Sequence, residues 1–304
     1  MCCLFGFYNY SGDKIDSIND LTQSLAVEAT VRGTDATGIA FNDKNKLLIH
    51  KEGKSAFEMK LKHPGNAVCV TGHTRHATQG NKKNNFNNHP FFGKARNANF
   101  ALCHNGVLSN DTALRKKHHL PKSKIETDSY IAVQLLEHKK YLNADSIKWM
   151  AEQLEGSFAF SILDTQNTLW LVRGDSPLAL LHIPEYKLYV YASTKEILYK
   201  GIVDTKLFDM VKQGKTEEIK VHSGDILNIL PDGTIIHSKF DYTDYSYYGC
   251  YRWWDYTTDD TENAYIDDVK TVAKYYGYSP DVVDELLKEG FSLDEVEDYI
   301  YCLE

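Results

Sequence analysis

The chain opens MCCLFG, with two cysteines directly behind the initiator methionine. If Met1 is cut away, Cys2 becomes the N-terminal residue and carries a thiol beside a free α-amino group. Such an amine has a reference pKa of about 7.7–8.0, so part of it is unprotonated near neutral pH. It can then act as general base for the thiol of its own residue, through a water, with no histidine partner. Read in isolation, the same stretch is a pair of small buried thiols in a first strand. No lipid anchor is expected: myristoylation requires Gly at position two, and the ending Tyr301-Cys302-Leu303-Glu304 places Cys third from the end, where a prenylation box needs it fourth.

Other stretches decide between these readings. TGHTRHATQG (71–80), CHNGVLSN (103–110) and ETDSYIAVQLL (126–136) join MCCLFG and VRGTDATGIA (31–40) in one order along the chain. Together they resemble the glutaminase domain of class II glutamine amidotransferases, which belong to the N-terminal-nucleophile hydrolases and supply ammonia in glucosamine-6-phosphate synthase and amidophosphoribosyltransferase. The resemblance continues through EGSFAFSILD, LWLVRGDSPLALL and YVYASTKEIL, and covers about residues 2–240. It implies an α+β fold, a four-layer αββα sandwich of two antiparallel sheets with helices outside. Cys2 would stand at the end of the first strand as the catalytic nucleophile.

The residue types suit that chemistry. Hydrolysing an amide through a thioester needs a nucleophile, an oxyanion hole and a substrate clamp. Asn105 can aim its side-chain NH2 at a developing oxyanion, and Gly106, lacking a Cβ, can offer its backbone N–H at close range. Outside this context His-Asn-Gly would read as a simple turn. Arg75 offers a rigid fork for the α-carboxylate of glutamine, and Asp128 offers the opposite charge to its α-ammonium. That pair recognises a free amino acid and rejects a glutamine inside a peptide. Their plainer readings are a surface salt-bridge arginine and a helix-start carboxylate beside a Thr127 cap. By the resemblance Thr78 also lines the glutamine site, and Arg32 and Asp35 shape the loop beneath the nucleophile.

Three departures from the family pattern concern that site. Cys3 replaces the usual Gly and adds a second thiol beside the nucleophile. Gln79 replaces a His, and His76 stands where an aromatic residue often follows the Arg. Nucleophile, oxyanion and clamp positions remain, so rate and substrate preference are touched more than reaction type. His73 and His76 have ligand-like spacing, with Cys69, Cys103 and His104 at strand positions, but no Cys-x-x-Cys pair accompanies them. There is no Walker loop and no dinucleotide fingerprint. Neither a metal nor a cofactor is expected.

Elements must bring these residues together. A buried strand is expected over 2–8, a helix over 17–31 closed by Gly33, then strands at 37–41, 46–51, 67–71 and 100–104. A polar loop, 79–99, separates the last two, and loops of such length inside a domain are usually functional. Helices are expected over 127–140, opened by Thr127, and 143–154. Strands follow at 157–163, 168–173, 178–182 and 187–192, then a short helix at 194–199 and a hairpin of 225–230 and 234–239 around Pro-Asp-Gly. Residues 241–263 form an aromatic, acidic arm, and 264–304 a small appendage of three helices near 264–276, 280–289 and 292–302.

The chain has 304 residues, 42% hydrophobic and 25% charged, with net charge −8. That is an ordinary globular composition. The negative balance disfavours nucleic-acid binding, because phosphate backbones are repelled. No stretch reaches the length of a membrane span, none reads as a signal peptide, and six scattered cysteines do not form a disulfide framework. A cytoplasmic location with free thiols is expected. The function expected is hydrolysis of L-glutamine to glutamate and ammonia through a Cys2 thioester. Residues 241–304 are too few for an ordinary second catalytic domain, so the ammonia acceptor is expected on a separate synthase protein. Two other readings stand beside this one: an amidase acting on another γ-glutamyl or acyl amide, motivated by Cys3 and Gln79, and a non-catalytic module that senses glutamine or scaffolds partners.

Overall fold

The computed structural model describes residues 2–77, 80, 81, 83–203 and 205–242, and beyond them Ile266, Val269, Lys270, Ala273, 278–291, Val296 and Tyr299. The expectations made for Thr78, for Gln79 and for most of the aromatic arm lie outside these residues. In chain order the elements are β1 (Cys3–Asn9), α1 (Ile18–Glu28), β2 (Ala36–Asp43), β3 (Lys46–Glu52), β4 (Cys69–Arg75), β5 (Phe91–Lys94), β6 (Asn99–Leu108), α2 (Asp111–Lys117), α3 (Tyr130–Lys139), α4 (Ala144–Gln153), β7 (Gly156–Asp164), β8 (Leu169–Arg173), β9 (Ala179–Ile183), β10 (Leu188–Ala192), α5 (Lys195–Val203), α6 (Phe208–Lys212), β11 (Glu217–Ile219), β12 (Asp225–Ile229), β13 (Ile235–Lys239) and α7 (Asp281–Lys288).

Two antiparallel sheets stack face to face. The first runs β11-β9-β10-β1-β4-β2-β3 and the second β13-β12-β8-β7-β6-β5. All seven residues of β1 are buried, and their alternation shows why. Cys3, Phe5 and Phe7 pack toward α1 and α5, while Leu4 and Tyr8 pack between the sheets with Cys103, Ala159 and Leu171. A strand buried on both faces loses the polar alternation of a surface strand. Each large apolar side chain so buried contributes about 1.5–3 kcal/mol of transfer free energy. On the far side, the second sheet packs Phe100, Leu102 and Phe160 against Ile131, Leu135, Ile147 and Met150 of α3 and α4. The result is the expected four-layer αββα order.

Several expected elements differ in detail. The first helix ends at Glu28 and tightens into a 3-10 turn, Ala29–Arg32. Thr127 does not cap α3: that helix starts at Tyr130 behind Ser129, and the Thr127 hydroxyl is buried without a hydrogen-bond partner among the described residues. Residues 127–129 instead form a turn, with the Asp128 carbonyl accepting from the Ile131 N–H at 3.0 Å. The polar stretch 79–99 is not a plain loop, since it contains a 3-10 turn, Asn85–Asn87, and the edge strand β5. His104, Asn105 and Gly106 lie inside β6 and not in a turn. By contrast α4 starts as its sequence suggests, with Asn143 and Ser146 forming a reciprocal capping box.

The chain divides into two compact units, Met1–Tyr245 and Ser246–Glu304. The second has its own small core of Val269, Ala273, Val283 and Val296, and Lys270 pairs with Asp284 at 2.7 Å. Among the described residues no helix is long and apolar enough to cross a membrane.

Candidate active site

Strand alternation sets the site. On β4, Thr71 and His73 point between the sheets: the Thr71 hydroxyl meets Ser161 at 2.6 Å, and the His73 Nε2–H donates to the His104 carbonyl at 2.8 Å. Arg75 is the next residue on that face, at the strand's end. On β6, Cys103 packs between the sheets and Asn105 shares its parity. On β1, Leu4 does so, and Cys2 is two residues before it. The start of β1, the end of β4 and the alternation along β6 therefore deliver Cys2, Arg75 and Asn105 to one end of the inter-sheet layer.

Cys2 is half-buried, and its thiol donates to the His76 carbonyl at 3.5 Å. Withdrawal from water pushes the Cys2 thiol pKa up; the nearby Arg75 charge pulls it down and Asp128 raises it. A thiol held in its neutral form needs a base before it can attack. Arg32 Nε donates to the Cys2 carbonyl at 3.2 Å, and the Asp35 carboxylate accepts the Ala77 N–H at 2.8 Å. The Asp35 N–H also bonds the Arg75 carbonyl at 2.9 Å. Arg32 and Asp35 thus fasten the backbone on either side of Cys2 and Arg75. His76 is exposed and contributes its carbonyl to the site.

Arg75 is 3% exposed. Its guanidinium donates to Asn88 Oδ1 at 2.7 Å and to the Gly80 carbonyl at 3.2 Å. Asp128 accepts the Leu108 N–H at 2.7 Å, which ties it to the end of β6 just beyond Gly106. Next to it, the Ser129 hydroxyl meets His104 Nδ1 at 2.8 Å. Asn105 Nδ2 donates to Ser193 Oγ at 3.3 Å. The structure therefore gathers Cys2, Arg32, Asp35, Arg75, Asn105, Gly106 and Asp128 at one end of the two sheets.

Sequence reading missed the residues that hold these in place. Asn88 orients Arg75, and Asn87 bonds Glu126 at 2.8 Å, two residues before Asp128. Lys51 is half-buried and donates to the Asn88 and Pro90 carbonyls, and withdrawal from water pushes its pKa down to about 8. The signal that could have pointed to Asn88 was the run Asn84-Asn85-Phe86-Asn87-Asn88, since buried asparagines in a loop must bond something. The rings of His73 and His104 bond the His104 carbonyl and the Ser129 hydroxyl, respectively; among the described residues no three His, Cys, Asp or Glu side chains gather to hold an ion. Burial forces the His73 pKa down to about 3, so it is a neutral hydrogen-bond donor.

Comparison with known proteins bears directly on this arrangement. Residues 73–200 match the family described as Glutamine amidotransferase domain. The chain carries a glutamine amidotransferase domain. It is 33% identical over 156 residues to a glutamine–fructose-6-phosphate aminotransferase (isomerizing) of Listeria innocua, covering 49% of this chain and 26% of that protein. To the enzyme of the same name from Staphylococcus aureus it is 31% identical over 189 residues, 59% of this chain and 30% of that protein. The chain thus spans well under half of the curated relatives it matches. The solved glutamine phosphoribosylpyrophosphate amidotransferase of B. subtilis, complexed with ADP and GMP, superposes with a TM-score of 0.63 at 22% identity, over 90% of this chain and 58% of that one. That likeness shows the fold, a four-layer sandwich of two antiparallel sheets between helices.

Proposed function

We propose that this domain hydrolyses L-glutamine to glutamate and ammonia, with Cys2 as nucleophile once Met1 is removed. The observation that carries the reading is the convergence of Cys2, Arg75, Asn105 and Asp128 at one end of the inter-sheet layer. Arg75 receives the substrate α-carboxylate and Asp128 its α-ammonium. The free α-amine of Cys2 takes the thiol proton, and the sulfur attacks the side-chain amide carbon. The tetrahedral oxyanion is held by the Asn105 side-chain N–H and the Gly106 backbone N–H. The carbon–nitrogen bond then breaks, the α-ammonium of Cys2 protonates the leaving nitrogen, and a γ-glutamyl thioester remains. Water attacks the thioester and releases glutamate, which returns the thiol.

Thr78 lines the same site in this reading, and Gln79 takes the place where relatives have a histidine. Residues 2–240 form the glutaminase domain, 241–263 an arm and 264–304 a helical appendage. The ammonia passes to an acceptor on a separate protein, in the cytoplasm. The relatives, an aminotransferase and an amidotransferase each named for glutamine, support glutamine as nitrogen source.

The test is the intact mass before and after treatment with 6-diazo-5-oxo-norleucine, a glutamine analogue that alkylates such nucleophiles. Loss of Met1 together with a single adduct on Cys2 is the expected result. Met1 retained, or no adduct, would sink the reading and leave an amidase of other specificity or a non-catalytic module.

A further inference from the structure

Ser193 lies where β10 leaves the first sheet for α5, and it is fully buried. Its N–H donates to the Leu4 carbonyl at 2.9 Å and so continues the β1–β10 ladder by one more bond. The strand ends there, because Thr194 already opens the helix: its carbonyl accepts the Leu198 N–H at 3.1 Å and its hydroxyl the Ile197 N–H at 3.3 Å. The Leu4 N–H, which in a regular ladder would return to the Ser193 carbonyl, is accepted by the Ser193 hydroxyl at 2.8 Å. Its second lone pair accepts Asn105 Nδ2 at 3.3 Å, across the gap between the sheets. A hydroxyl has two acceptor sites, and both are used here.

We propose that Ser193 is a positioning residue for the glutaminase reaction, a role that rests on the reading above. Asn105 has two side-chain N–H groups. Ser193 engages one, which fixes the plane of the amide and presents the other toward the oxyanion. The same oxygen anchors the backbone two residues beyond Cys2. One buried hydroxyl therefore sets the distance between nucleophile strand and oxyanion donor. An amide free to rotate would have to be oriented in each turnover, and that cost falls on the transition state and not on substrate binding.

The experiment is steady-state glutamate release by the full chain and by Ser193→Ala, Ser193→Cys, Asn105→Ala and the double variant Ser193→Ala/Asn105→Ala. Ser193→Cys keeps the side-chain volume with a poor acceptor, and thermal unfolding checks that each variant is folded. Both Ser193 variants are expected to lower kcat by about ten- to a hundredfold with KM within about twofold, and Asn105→Ala by ~10²–10³. The double variant should fall close to Asn105→Ala, well short of the product of the two losses, because Ser193 acts chiefly through that amide. Multiplying losses, a KM change as large as the kcat change, or unchanged rates in folded Ser193 variants would each overturn the role. No glutamate release from the unaltered, Met1-free chain would instead overturn the glutaminase reading itself.

Discussion

At the scale of single residues, Arg75 shows how a buried charge is made usable. Its guanidinium is almost wholly withdrawn from water, and Asn88 and Gly80 supply acceptors at 2.7 and 3.2 Å. A buried cation without such partners would be costly, and hydrogen bonds to charged groups are worth about 1.5–3 kcal/mol. Asn88 is itself held, since its Nδ2 donates to Asn85 Oδ1 at 3.1 Å. Asn88→Ala is therefore expected to let the Arg75 fork turn away from the substrate carboxylate. The predicted result is a KM for glutamine raised about tenfold or more with a smaller change in kcat, read from steady-state glutamate release. An unchanged KM would mean that Arg75 keeps its orientation by other contacts. Arg75 was legible in the sequence because its motif surrounds it in a few residues. Asn88 was not, because its partner lies 13 residues away and no local pattern links an asparagine in a polar run to an arginine on a preceding strand.

Elements place these residues, and the ladder between β6 and β7 is the most exacting of them. Gly106 has φ +137° and Gly156 φ +119°, both in the region that favours glycine. A Cβ on Gly106 would stand 2.0 Å from the Ser157 carbonyl oxygen, and one on Gly156 2.2 Å from the Val107 carbonyl oxygen. Leu108 pairs with Gly156, and Gly106 with Phe158. The two glycines thus let β6 and β7 close on each other where Asn105 and Asp128 are tied to β6. Alanine at Gly156 is expected to cost about 2–4 kcal/mol, seen as a lower denaturant midpoint. Protein that remains folded should bind glutamine nearly as before, as the residue touches neither clamp nor nucleophile. Alanine at Gly106 should cost similar stability and also lower kcat in the folded fraction. Equal kinetic losses at both would assign Gly106 a purely structural part. Period-two alternation and motif order made most strands legible. The start of α3 was misread because the Thr and Asp before it resemble a cap, while tertiary bonds to β6 hold Asp128 and Ser129 in a turn.

The whole molecule adds a dependence on pH that no single motif reveals. His63, His73, His89 and His104 are buried, and burial lowers the pKa of each, that of His73 to about 3 and that of His89 well below its ordinary value. His89 lies tilted against His73 and Phe91, with ring centroids 4.1 and 4.2 Å away, and its ring nitrogens have no hydrogen-bond partner among the described residues. In the unfolded chain these imidazoles titrate near 6.5. Below that pH the unfolded state binds more protons than the folded one, so stability is present above about 6.5 and is lost as pH falls toward the folded values. Buried Asp164 and half-buried Asp175 and Glu137 act oppositely, with pKa values raised by withdrawal from water, but from ordinary carboxylate values near 4. The histidine effect therefore dominates between pH 7 and 5. The urea midpoint is predicted to fall across that window, and His89→Leu, which removes one such group, should flatten the slope. A midpoint that stays level from pH 7 to 5 would mean that these imidazoles are hydrated in the native state. The same whole-molecule view separates the two compact units. The cores that position Cys2, Arg75, Asn105 and Asp128 are built from residues up to Phe240, while the second unit has its own four-residue core. A chain cut after Tyr245 is thus expected to keep its glutaminase rate within about twofold and its diazo-oxo-norleucine adduct on Cys2. Its loss of activity with the fold intact by circular dichroism would assign residues 246–304 a direct part in glutamine turnover.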